Sequence, residues 1–182
     1  MLRRLCVFCG SSPGRSPAHA QAARALGLEL ARREIELVFG GGSAGLMGAL
    51  ADEVLAAGGR AIGVIPRALM ERELGHAGLT QLHVVGSMHE RKALMAELSD
   101  AFVALPGGFG TFEEICEAIT WAQLGIHPKP CALLDVDGYW TPLVRLFDQA
   151  VEQGFIEPQG RALVLHQHDP AELLDALERW NQ

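Results

Sequence analysis

Two glycine-rich turns, one arginine and one glutamate are the residues whose types and spacing could do chemistry in this chain. Residues 106–114 read Pro-Gly-Gly-Phe-Gly-Thr-Phe-Glu-Glu, where a short apolar run meets a helical pattern. Glycines let the backbone approach a ligand with no side chain in the way. Thr111 is a good helix N-cap, which predicts a helix beginning behind it. Free amides and the positive end of a helix dipole make an anion site, and a phosphate is its natural occupant. The bland alternative is a tight strand–helix turn with an ordinary cap.

Arg91 is an independent clue. The 3.6-residue period over 88–98 puts Met88, Leu94, Met95 and Leu98 on one apolar face, with Arg91 in its middle. Arg91 also lies in the first helical turn, where a cation opposes the dipole. A buried unpaired charge is costly, so Arg91 should meet a carboxylate or a ligand phosphate. Otherwise it snorkels at the helix edge. Ser87 and Glu90 have the spacing of a capping box, and Lys92 lies just off the stripe. Glu113 and Glu114 open the next helix, where acids favour the dipole in any case. The expected core stripe there is Phe112, Ile115, Cys116 and Ile119. Glu114 then falls on the opposite face, two turns from Trp121. A Trp on a wet face implies a covering surface, either a ligand pocket or a second subunit.

Apolar runs at 5–9, 37–39, 61–65, 82–85, 101–105, 131–134 and 162–165 alternate with helical patterns at 17–33, 44–57, 88–98, 111–124, 139–153 and 170–180. Strands apolar on both faces that alternate with helices imply an α/β fold. It is a single-domain, Rossmann-like, doubly wound parallel sheet over 1–182, with helices on both faces. Ligands of such sheets bind at the carboxyl ends of strands, so the turns at 9–14, 40–48, 86–92 and 106–114 should hold the site. Gly40, Gly42 and Gly45 satisfy G-x-G-x-x-G between a strand and a helix. A dinucleotide reading also wants an acid closing the next strand, and that strand runs into Pro66 instead.

Composition narrows the classes. The chain has 182 residues, 49% apolar and 20% charged, with a net charge of −7. That acidic balance argues against nucleic acid as a partner. No apolar run approaches the roughly 20 residues that span a bilayer, and the N-terminal apolar stretch is too short for a signal. A cytoplasmic protein without a membrane partner follows. Cys6 and Cys9 match a redox spacing, but residues three apart on a strand point to opposite faces, so buried small hydrophobes are the reading. His166 and His168 read as a solvated loop rather than a ligand pair. No metal cluster is seen, and no cofactor is required.

The stretch 106–114 fits the PGGxGTxxE signature of the Lonely Guy family, and Arg91-Lys92 fits its upstream Arg-Lys motif. The stretches 119–127 and 40–48 also resemble that family. The resemblance runs in one order and spacing from Cys6 to about Trp140. It implies a cytokinin riboside 5'-monophosphate phosphoribohydrolase that also cuts AMP, releasing free base and ribose 5-phosphate. Many relatives carry a lysine decarboxylase label, which no lysine here encourages. By the same resemblance, Arg91 and Glu114 are the catalytic pair. Lys92, Gly107, Gly108, Phe109, Gly110, Thr111, Thr120 and Glu73 are nucleotide contacts, joined by Gly41, Gly42 and Ser11 from the earlier turns. The substrate is a nucleoside 5'-monophosphate, the implied assembly is a homodimer, and no metal takes part. Two other readings stay open: a non-catalytic nucleotide or cofactor binder resembling molybdenum-cofactor carriers, and a nicotinamide-dependent oxidoreductase.

Overall fold

Every apolar run becomes a strand in the computed structural model, which describes residues 1–70 and 75–180. The strands are β1 (Arg4–Phe8), β2 (Glu36–Phe39), β3 (Ala61–Pro66), β4 (Gln81–Val85), β5 (Ala101–Ala104), β6 (Cys131–Leu134) and β7 (Val164–Gln167). The helices are α1 (Pro17–Arg32), α2 (Gly45–Ala56), α3 (Met88–Leu98), α4 (Phe109–Gln123), α5 (Thr141–Glu152), α6 (Pro158–Arg161) and α7 (Pro170–Trp180). A 3-10 turn at Arg67–Leu69 is added after β3. The short α6 is also new. Its last turn carries the chain through Leu163, so β7 starts later than expected and His166 lies inside the strand.

All seven strands are parallel, in the order β4-β3-β2-β1-β5-β6-β7. The chain builds outward from β1 to β4, then crosses over and builds from β5 to β7. Right-handed crossovers turn that change of direction into a change of face. Helices α1 and α2 cover one side with α7, and α3, α4 and α5 cover the other. The alternation along β1 feeds both cores: Leu5 and Val7 enter one, Cys6 and Phe8 the other. Cys6 and Cys9 therefore face opposite cores as free thiols, and burial pushes both thiol pKa values up. Neither is placed for redox work. Among the described residues no helix is long and apolar enough to cross a membrane.

Helix α4 departs from expectation. Its N-cap is Gly108, and Thr111 is the third helical residue rather than the cap. Thr111 is buried and packs directly beneath Gly107, where a Cβ would lie 2.0 Å from its Oγ1. This seating rotates the stripe. Thr111, Ile115 and Ala118 face the sheet, while Phe112 is exposed. Glu114 is accordingly half-buried and not on a wet face.

Candidate active site

The order of the strands reverses between β1 and β5, and a crevice opens there at their carboxyl ends. A pocket of about 310 Å³ occupies it, with Ser11, Gly40, Arg91, Glu114 and the stretch Gly108 to Thr111 in its wall. Met47, Leu69 and Met88 supply apolar wall; of these the sequence pointed only to Met88, as part of the apolar stripe of α3.

The two glycine-rich helix starts are used differently. Ser16 caps α1 by accepting from the Ala18 amide at 3.3 Å, and Ser87 caps α3 by accepting from the Glu90 amide at 3.1 Å. Neither α2 nor α4 has a side-chain cap. At α2 the need is met by the chain itself, because the Leu46 amide donates to Gly10 O at 3.0 Å. Gly45 sits against the β1 turn so closely that a Cβ would lie 2.4 Å from the Ser11 carbonyl carbon. The G-x-G-x-x-G start is thus consumed in packing. Gly41 and Gly42 follow suit: Gly41 O accepts from His76 N at 2.9 Å, and Gly42 bridges to Gly75. Neither glycine lines the pocket, whereas Gly40 does.

At α4 the start stays open. The Phe109, Gly110 and Thr111 amides precede the first intrahelical bond, which runs from Phe112 N to Gly108 O at 3.0 Å. Among the described residues no hydrogen bond occupies these three amides, and all three residues line the pocket. Of the two glycine-rich helix starts, this one keeps its first amides open toward the pocket. Its preceding turn is tied to the β1 turn by Gly10 N donating to Pro106 O at 3.1 Å.

Arg91 is only 4% exposed, so it does not snorkel. Its Nε donates to Val64 O at 3.0 Å and its Nη2 to Gly40 O at 2.9 Å. The ends of β2 and β3 thus carry part of its charge with carbonyl dipoles. Gly40 is required there, since a Cβ would stand 2.2 Å from Nη2. The capping box of α3 closes one residue early: Glu90 accepts from the Gly86 amide at 2.7 Å rather than from Ser87.

Lys92 turns away from the pocket that Arg91 and Glu114 share. Its Nζ lies 2.5 Å from Glu113 Oε1 and 3.0 Å from Glu117 Oε2, clasping α3 to α4. Burial works against its charge, but the hydrogen bonds to Glu113 and Glu117 outweigh it and hold its pKa above the ordinary lysine value. Thr120 is exposed, and its hydroxyl donates to Cys116 O at 2.7 Å. It too stands outside the pocket, and Glu73 lies outside the described residues. Gly107 faces a neighbouring hollow, where the chain's only tyrosine, Tyr139, donates its hydroxyl to the Gly107 carbonyl. Sequence reasoning missed Tyr139, although its place one residue after an Asp-Gly turn at a strand end marked it for the same sheet edge.

His166 is not in a solvated loop but in β7, half-buried, whereas His168 is exposed in the bend that follows the strand. Both meet the buried Asp135, and ligand atoms of the three lie within 4.8 Å of one another. The sequence showed no such cluster because Asp135 lies 31 residues before His166. Its hydrogen-bonding capacity is largely used within the protein. Asp135 Oδ1 accepts from Trp140 N at 2.7 Å, and Oδ2 accepts from the Thr141 hydroxyl at 2.7 Å with His166 Nε2 at 2.8 Å. Burial alone would raise the Asp135 pKa, yet those three partners lower it. The cluster is a knot joining β6, β7 and α5.

Residues 47–177 match the family described as possible lysine decarboxylase. A cytokinin riboside 5'-monophosphate phosphoribohydrolase of Arabidopsis thaliana is 50% identical over 178 residues, covering 98% of this chain and 82% of that protein. A probable enzyme of the same name from Oryza sativa subsp. japonica is 52% identical over 179 residues, covering 98% of this chain and 73% of that protein. Among solved structures, a molybdenum cofactor carrier protein from Chlamydomonas reinhardtii superposes with a TM-score of 0.74 at 23% identity, covering 100% of this chain and 99% of that one. That likeness shows the shared Rossmann-like fold. With the uncapped PGGxGTxxE helix start, Arg91 beside it and half the residues shared along nearly the whole length, this chain belongs to the Lonely Guy family of cytokinin riboside 5'-monophosphate phosphoribohydrolases.

Proposed function

We propose that this chain hydrolyses the N-glycosidic bond of cytokinin riboside 5'-monophosphates and AMP, releasing free base and ribose 5-phosphate. The observation that carries the reading is the open N-terminus of α4, facing the pocket that also holds Arg91 and Glu114. The 5'-phosphate accepts from the Phe109, Gly110 and Thr111 amides at the positive end of the helix dipole. Ribose then lies toward Arg91 and Glu114. Cleavage of the bond to the base leaves positive charge on the sugar, and the Glu114 carboxylate stabilises it or activates the attacking water. Water adds its oxygen to the anomeric carbon, and the departing base takes up a proton. Arg91, fixed by two carbonyls, orients the substrate.

The working unit in this reading is one domain over 1–182, located in the cytoplasm and assembled as a homodimer. Leu124 and Ile126, 68% and 64% exposed beside the half-buried Trp121, support that assembly. The test incubates the protein with AMP, isopentenyladenosine monophosphate and adenosine, following free base by chromatography. Both nucleotides release base, and adenosine is a poor substrate. Glu114→Gln lowers turnover by about 100-fold or more with an unchanged circular dichroism spectrum. A folded, active Glu114→Gln variant would overturn the assignment of Glu114. Nucleotide binding without base release points instead to a carrier.

A further inference from the structure

We infer that Tyr139 is a positioning residue for the phosphate loop: its hydroxyl, donating to the Gly107 carbonyl, aims the Gly108 amide at the substrate phosphate. The inference rests on the phosphate reading of the α4 N-terminus. It adds a fourth amide to the three that the helix provides.

The argument begins with the Gly107–Gly108 peptide. No Cβ on either residue biases its rotation, so its orientation has to come from outside. All peptides described are trans, so the Gly107 carbonyl and the Gly108 amide point in opposite directions. Tyr139 and Gly107 face the hollow on one side of the loop, together with His19. Gly108 borders that hollow too, and Gly108 through Thr111 line the Arg91 pocket on the other side of the loop. A carbonyl held toward Tyr139 therefore turns the Gly108 N–H toward the pocket. The preceding carbonyl, Pro106 O, is held independently by Gly10 N.

Tyr139 is built to hold its hydroxyl still. Positive φ at Asp137 (54°) and Gly138 (73°) bends the chain after β6, and Tyr139 N donates to Val136 O at 3.1 Å. The ring meets Trp140 edge-on at 5.1 Å, stacks on Phe112 at 6.4 Å and meets His19 edge-on at 6.0 Å. Trp140 is itself anchored, with Nε1 donating to Ala104 O at 3.1 Å at the end of β5. The lock on Gly107 is thus referred back to the same strand that carries the loop.

Tyr139→Phe removes the hydroxyl and keeps the ring. The dissociation constants of ribose 5-phosphate and of adenine are measured by calorimetry on both proteins, with steady-state kinetics on AMP. Loss of one hydrogen-bonded lock weakens ribose 5-phosphate about fivefold to tenfold. The KM for AMP rises by a similar factor, kcat stays within about twofold, and adenine binding is unchanged. Equal weakening of ribose 5-phosphate and adenine would mean a general structural role and overturn the inference. So would unaltered ribose 5-phosphate binding by the variant while wild type binds it. If wild type binds no ribose 5-phosphate, the phosphate reading itself fails, and the inference with it.

Discussion

Arg91 is seated in part by backbone. Two carbonyls at neighbouring strand ends accept from it, and a missing side chain at residue 40 leaves the room. This makes Gly40 as consequential as the arginine. A methyl at residue 40 must expel the guanidinium or push apart the ends of β2 and β3, an overpacking worth about 1–3 kcal/mol. Gly40→Ala should therefore lower kcat/KM for AMP by at least about tenfold. It should leave ribose 5-phosphate affinity close to wild type, since the α4 amides are untouched. Calorimetry beside kinetics separates the two, and equal loss of both would show that residue 40 supports the whole pocket rather than Arg91.

Among the elements, α4 is the one whose orientation decides the site. Its sheet-facing residues are Thr111, Ile115 and Ala118, two of them small, so an apolar-stripe reading that weights Phe112 and Ile119 rotates the helix wrongly. The strands were legible because parallel strands buried on both faces are continuous apolar runs. Arg91 was legible because one charge in an apolar stripe breaks the helical period. The seat of Arg91, the Lys92 clasp and the Asp135 knot were not, because each joins residues 21 or more apart in the chain. The knot carries a pH prediction. Asp135 has a folded pKa below its unfolded value near 3.8, so folding favours the carboxylate. That stability is complete above the unfolded pKa and disappears as pH falls through the folded one. Asp135→Asn should destabilise the protein near neutral pH and flatten the loss of stability below about pH 4. Denaturant midpoints measured from pH 7 to pH 2.5 check it, and an acid limb as steep as wild type would count against the knot.

At the scale of the molecule, a single reversal of strand order brings the β1 and β5 turns together, and with them the walls of the pocket. The same arrangement leaves the far end of α4 on the outside, where Leu124 and Ile126 stand in solvent. If the homodimer closes over that end, Leu124→Glu with Ile126→Glu should yield a monomer by light scattering. A double variant that remains dimeric would place the interface elsewhere. The open start of α4 also accounts for the spelling of the PGGxGTxxE motif. Its unspecified letters fall on Phe109, Phe112 and Glu113, of which Phe109 is 90% exposed. Phe109 lends the pocket an amide that any residue except proline also possesses. A cradle written in main chain tolerates a changing alphabet at that letter, so the entrance can be reshaped there without rewriting the grip on phosphate.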